Sequence, residues 1–278
     1  MSKFIQKLGF GLLFVAIVAL LSVGGWLALK RNIDAAKGVG YKDPKEIGQN
    51  VVQKSIVESL GEDQAKSFVE SALAVRVTAD VDKYFRIGEN SPDKIVAFLS
   101  ALQSKEGEIA KIQWRGNNSA GRVARDELSV MFKVSGALKN RVALLIPDGI
   151  GKWKVDYDAF ARTSTPSWSE LIEGKSNIGE VRVFASTDNY YNGPFSDERE
   201  WQCYSFISPD TDMVMKGYSK MDSAQTKAMN SLLEDRKVAR VTLEIRRVKC
   251  GESRQFEISR VLSSDWAKEE VIFDEKFQ

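Results

Sequence analysis

Leu128-Ser129-Val130-Met131-Phe132-Lys133-Val134 is the stretch that decides the fold class of the central part of this chain. Leu128, Val130, Phe132 and Val134 alternate with more polar or flexible residues, the period of a strand with one buried face. The strand is expected over Val123–Val134. Gly136 follows it, and Pro147-Asp148-Gly149 separates two further apolar segments, Val142–Ile146 and Trp153–Tyr157. Ile109–Trp114 precedes it. Short strands joined by Gly- and Pro-containing turns read as an antiparallel meander.

Upstream the period changes. Ala65, Phe68, Val69, Ala72 and Leu73 fall at i, i+3, i+4, i+7 and i+8, the stripe of an amphipathic helix from Glu62 to about Val75. A short helix is expected at Thr78–Phe85. Ser91-Pro92-Asp93 is a helix start: a capping hydroxyl, a proline at the first turn and an acid at the positive end of the dipole. Ile95, Val96, Phe98, Leu99 and Leu102 form its apolar face. A weaker helical spacing runs from Pro44 to Leu60. Residues 62–160 therefore read as an α+β domain, helices first and a curved sheet after them.

That order, with the last strand Gly151-Lys152-Trp153-Lys154-Val155-Asp156, resembles the NTF2-like family, whose bent sheet and helices form a cone. The resemblance implies a pocket at the mouth of the cone, for which Trp114, Asp156 and Tyr157 are the candidate lining residues. The family spans enzymes, binding modules and assembly domains, so the likeness implies no particular activity. The histidines of its enzymes have no counterpart here.

Residues 161–177 are rich in Ser and Thr, contain Pro166, and are expected to be a linker with a helical turn at Trp168–Glu173. A second domain is expected over residues 178–268. Gly179–Thr187, Trp201–Ile207 and Met213–Tyr218 read as strands. A helix capped by Asp222 follows, with Met229, Leu232 and Leu233 apolar. Val238–Val248 and Gln255–Leu262 read as a terminal hairpin. Three strands, a helix and two strands is the order of an OB-like β-barrel. Residues 269–278 are expected to be a C-terminal tail.

Before all of this stands an uncharged run, LGFGLLFVAIVALLSVGGWLAL, over residues 8–29, behind a tail of residues 1–7. It matches the ~20 residues a helix needs to cross ~30 Å of hydrocarbon. It exceeds the ~7–15-residue apolar core of a cleavable signal, although Ser22-Val23-Gly24 keeps cleavage and secretion as an alternative. A single-pass, signal-anchor transmembrane helix is expected, contacting the lipid bilayer and followed by a tether over residues 30–61. Lys3 and Lys7 nearly balance Lys30, Arg31 and Lys37, so the charge rule barely orients it. The short tail favours an N-terminus inside and soluble domains outside the cytoplasm.

Composition then excludes much chemistry. The 278 residues contain no histidine and two cysteines, which removes the usual His-dependent triads and dyads and any closed zinc site. No metal, cofactor or catalytic residue is expected. Beyond the apolar run 38 basic residues face 38 acidic ones, so nucleic acid is disfavoured. The basic cluster of the terminal hairpin, represented by Arg240, Arg246 and Arg260, is a candidate site for an anionic ligand, though such charges commonly line a solvated strand face. Cys203 and Cys250 are candidates for a disulfide, provided the barrel brings them within ~7 Å between Cα atoms.

The leading functional expectation is a membrane-anchored, extracytoplasmic, non-catalytic interaction or assembly protein with a protein partner, and homo-oligomerisation left open. The alternatives are a small-ligand binder or enzyme using the cone pocket, and an OB-type oligonucleotide or glycan binder.

Overall fold

In the computed structural model, residues 58–117, 125–211 and 213–278 are described. The expected anchor, the helical spacing from Pro44, most of the tether and the first residues of the strand from Val123 lie outside them. Among the described residues no helix is long and apolar enough to cross a membrane.

Chain order gives α1 (Glu62–Leu73), a 3-10 turn at Thr78–Asp80, α2 (Val81–Tyr84), β1 (Phe85–Arg86), α3 (Pro92–Glu106), β2 (Glu108–Asn117), β3 (Asp126–Val134), β4 (Ala137–Pro147), β5 (Trp153–Asp156) and α4 (Tyr157–Ala161). The Ser91 hydroxyl accepts from the Lys94 backbone N–H and Pro92 opens α3, as the sequence predicts. The sheet order is β1-β5-β4-β3-β2, antiparallel except for the short β1–β5 pair. Leu128, Val130 and Phe132 point to the helices and share one core with Val69, Ile95, Leu99 and Phe160. Gly107 ends α3 against β3 with φ +86; a Cβ there would lie 1.9 Å from the Lys133 carbonyl oxygen, so only glycine fits. The chain reaches this domain through Asp126, whose buried carboxylate accepts from the Ser59 hydroxyl, the Leu60 N–H and Asn117 Nδ2.

Then follow α5 (Trp168–Ile172), β6 (Ile178–Asp188), β7 (Trp201–Ile207), β8 (Val214–Lys220), α6 (Ala224–Leu233), β9 (Ala239–Arg246) and β10 (Gln255–Ser263). The five strands close into a barrel in the order β10-β8-β7-β6-β9, with β8 and β10 parallel. Closure leaves no free edge. Val181, Val183, Phe206, Met215, Val241 and Leu243 fill it. Gly217 makes room for the Phe206 ring, which a Cβ would meet at 1.9 Å. The cap of α6 is Ser223, whose hydroxyl accepts from Thr226 N–H, one residue beyond the Asp222 expected.

Two boundaries differ from expectation. The supposed linker is part of the barrel. Ser167 and Glu170 form a capping box on α5, Trp168 and Leu171 are buried in the barrel core, and Thr165 bridges to Glu180. Apolar side chains at helical spacing here outweigh the Ser/Thr composition. The supposed tail is also packed. Phe273–Phe277 is a 3-10 turn, and Phe273 and Phe277 rest on the same core.

Candidate functional site

The three candidates for a cone pocket are not brought together around one. Tyr157 is buried in the core, edge-on to Phe85 and Phe98. Burial, with the nearby Asp158 charge, pushes its hydroxyl up to about 12. Asp156 is spent locally: one carboxylate oxygen accepts from Ala159 N–H at 2.7 Å and caps α4, and the other accepts from Arg86 Nε at 2.7 Å. Trp114 lies on β2, opposite Leu128, partly buried against the core. Two strands separate β2 from β5, so these residues are about 14 Å apart across the sheet at ~4.8 Å per strand. The helix-facing side of the sheet is filled by packed side chains.

The three arginines likewise sit in separate networks, each already matched by carboxylates. Arg246 pairs with Glu257, its cross-strand neighbour, at 2.8 and 3.0 Å. Arg260 pairs with Glu275 at 2.9 Å and with the fully buried Asp274 at 3.2 Å. Asp274 also accepts from Val261 N–H and Gln225 Nε2, which is why the last segment cannot trail free. Arg240 reaches out of the barrel to Glu127 of β3, at 2.6 and 3.1 Å, and to Asp265 at 3.1 Å. Burial works against its charge, but Asp265 and Glu127 outweigh it, and the guanidinium titrates above its ordinary value. Both cysteines are free thiols. Cys203 is buried beside Phe195 and Tyr218, where burial pushes its thiol up, and Cys250 is exposed in a turn with φ +63.

What Arg240 helps to build is a junction between the sheet and the barrel. Trp266 stands at its centre, 1% exposed, edge-on to Phe184 and packed with Leu144, Ile146, Ala159 and Ala267. Its indole N–H donates to the Val183 carbonyl at 3.0 Å. Around it lie charges. Arg125, 2% exposed, meets Asp265 at 2.8 Å. Arg182, equally buried, donates to the Trp266 and Thr163 carbonyls and pairs with Glu180. On the opposite, helix-facing side of the sheet Arg141 sits over the Phe98 and Phe160 rings and grips Glu106 with two nitrogens, and Arg162 pairs with Asp210, between β7 and β8, at 3.0 Å. Burial, then the neighbouring Arg141, lowers the Arg162 guanidinium to about 10. None of Arg125, Arg141, Arg162, Arg182, Asp265 or Trp266 stands out from the sequence as a junction residue. The available signal is an arginine inside an apolar strand, as in Val181-Arg182-Val183.

A shallow cleft opens beside this junction, lined by Arg86, Gly88, Asp156, Asp158, Arg182, Lys268, Glu269 and Glu270. Here a predicted pocket residue, Asp156, faces a cavity, and its arginines are already paired with carboxylates. Elsewhere, Lys216 Nζ lies 2.9 Å from the Ser205 hydroxyl, the geometry of a serine–lysine pair. Asp188 is bonded to both. Burial raises the Asp188 carboxyl, but Lys216 and Ser205 hold it below its usual range. Among the described residues no group of carboxylates and thiols is placed to hold a metal.

No family model and no curated protein matches the chain. Among solved structures, one described as an NTF2-like transpeptidase from Campylobacter jejuni aligns with 35% of this chain and 98% of its own length. The two are 23% identical, with a TM-score of 0.26. At that score the likeness carries no weight, and the α+β assignment rests on the element order and strand pairing described above.

Proposed function

We propose that this chain is a membrane-anchored, non-catalytic assembly protein whose NTF2-like and OB-like domains act as one rigid module outside the cytoplasm. The observation that carries the reading is the fate of the arginines. The three candidates for an anionic ligand, Arg240, Arg246 and Arg260, are each matched by carboxylates, and Arg240 joins the two domains instead. Buried charge of this kind supplies geometry and specificity more than net stability. A fixed spacing between two domains is what a scaffold for a protein partner needs. The order of the five barrel strands, with the third and fifth parallel, supports the OB-like part. Helices preceding a bent antiparallel sheet support the NTF2-like part, and the uncharged run over residues 8–29 supports the anchor.

The test is cross-linking in intact membranes followed by isolation of the full chain. A defined partner should be recovered with the wild type and lost when Trp266→Ala loosens the junction. Repeated recovery of the chain alone would count against the reading. Protease added outside spheroplasts should digest the domains; protection would place them on the other side.

A further inference from the structure

The end of the sheet farthest from Asp126 is unlike the rest of the molecule. The first four residues of β2, Glu108–Lys111, and of β4, Ala137–Asn140, are exposed on both faces of the sheet. Register separates the faces. Ile109 and Lys139 flank Phe132 on the helix side, while Glu108 and Leu138 flank Lys133 on the other. Ile109 is 44% and Leu138 65% exposed. Lys105 lies in the last turn of α3 nearby, and Lys139 Nζ approaches its carbonyl at 3.5 Å. Among the described residues the lysines in ion pairs are Lys66, Lys175, Lys216, Lys268 and Lys276. Lys105, Lys111, Lys133 and Lys139 have no such partner; of the nearby acids Glu108 is exposed, and Glu106 is buried and paired with Arg141.

We propose that this tip is a second contact with the bilayer, a β-arm that enters the headgroup region of an anionic leaflet. The proposal rests on the membrane-anchored reading. Two features select a lipid surface over a protein. The apolar side chains point from opposite faces, so a rigid partner laid on one face covers one of them. A deformable medium entered end-on covers both. The lysines ringing them match the charge of anionic headgroups, with stems that extend along apolar surroundings while the ammonium stays wet. The 28 residues of chain between Leu29 and Glu58 can extend ~3.3 Å each, enough to let the arm reach the surface.

The test uses the full chain in nanodiscs of phosphatidylcholine alone or mixed with phosphatidylglycerol, followed by amide hydrogen exchange. Peptides spanning Glu108–Ile112 and Lys133–Asn140 should exchange several-fold more slowly in the anionic discs, with half-molar salt reversing the effect. Each lysine is worth about fivefold in partitioning to an anionic surface. The combined variant Lys111→Glu, Lys133→Glu, Lys139→Glu should lose the protection while keeping its thermal midpoint, because all three side chains are exposed. Equal exchange in both lipids overturns the proposal, as does protection that follows a co-isolated acidic protein instead of lipid charge. A chain that does not co-purify with the discs overturns the anchored reading. The arm is then judged on vesicles of the same lipids, where co-sedimentation abolished by the three charge reversals supports it and absence of binding overturns it.

Discussion

Arg240 and Arg246 lie six residues apart on one strand, and their surroundings give them different weight. Arg240 is one-fifth exposed and faces Glu127 and Asp265 across the junction; Arg246 is half exposed and faces Glu257 within the hairpin. Removing Arg240 strands Glu127 and leaves Asp265 to Arg125 alone, so Arg240→Ala should cost about 3–5 kcal/mol in urea unfolding. Arg246→Ala should cost about 0–1 kcal/mol. Equal losses would show that the junction pairing is not what stabilises the fold. Tyr157 gives a pH signature. Its hydroxyl ionises near 12 in the fold, against 10.0 for an ordinary tyrosine. The unfolded chain therefore loses the proton first as pH rises, and the stability carried by the neutral ring, complete below pH 10, is lost between 10 and 12. The thermal midpoint of the wild type should fall faster than that of Tyr157→Phe over this window, measured by circular dichroism. Identical slopes would mean that Tyr157 does not govern the alkaline limb.

Among the elements, α5 is the most informative. Composition presents residues 161–177 as a tether, yet Trp168 is 8% exposed and Leu171 fully buried. Arg247 donates to the Leu171 and Ile172 carbonyls, closing the C-terminal end of this short helix onto the barrel. Trp168→Ala should therefore cost about 3–5 kcal/mol, as for a large core side chain. A true linker would register within about 0.5 kcal/mol. Differential scanning calorimetry decides between them.

For the whole molecule the question is whether sheet and barrel unfold together. Trp266, Arg125 and Arg240 tie them through a small apolar cluster ringed by ion pairs. The wild type should show one cooperative transition. Trp266→Ala removes the centre of the cluster and should split it in two, the lower transition moving several degrees. A single transition in the variant would show that the ion pairs alone couple the domains. The coupling matters for the assembly reading, since a partner that bridges both domains loses its fixed spacing when they separate.

Most of the elements are legible in the residue pattern, because each buries one side and the alternation or helical spacing records which. Leu128, Val130 and Phe132 declare a strand, and Ser91-Pro92-Asp93 a helix start, through interactions a few residues long. The absence of histidine chemistry and the apolar run over residues 8–29 are likewise properties of the chain alone. The pairing of Arg240 with Glu127, 113 residues away, arises only in three dimensions. So do the burial of Trp266 and the packing of Trp168 and Phe273. In each case the second face of an element becomes core or junction because of what folds against it. A charge in a strand reads alike from the sequence whether solvent or a distant carboxylate will meet it. For that reason Arg240, with the character of a ligand-binding residue in its strand, joins two domains in the folded chain.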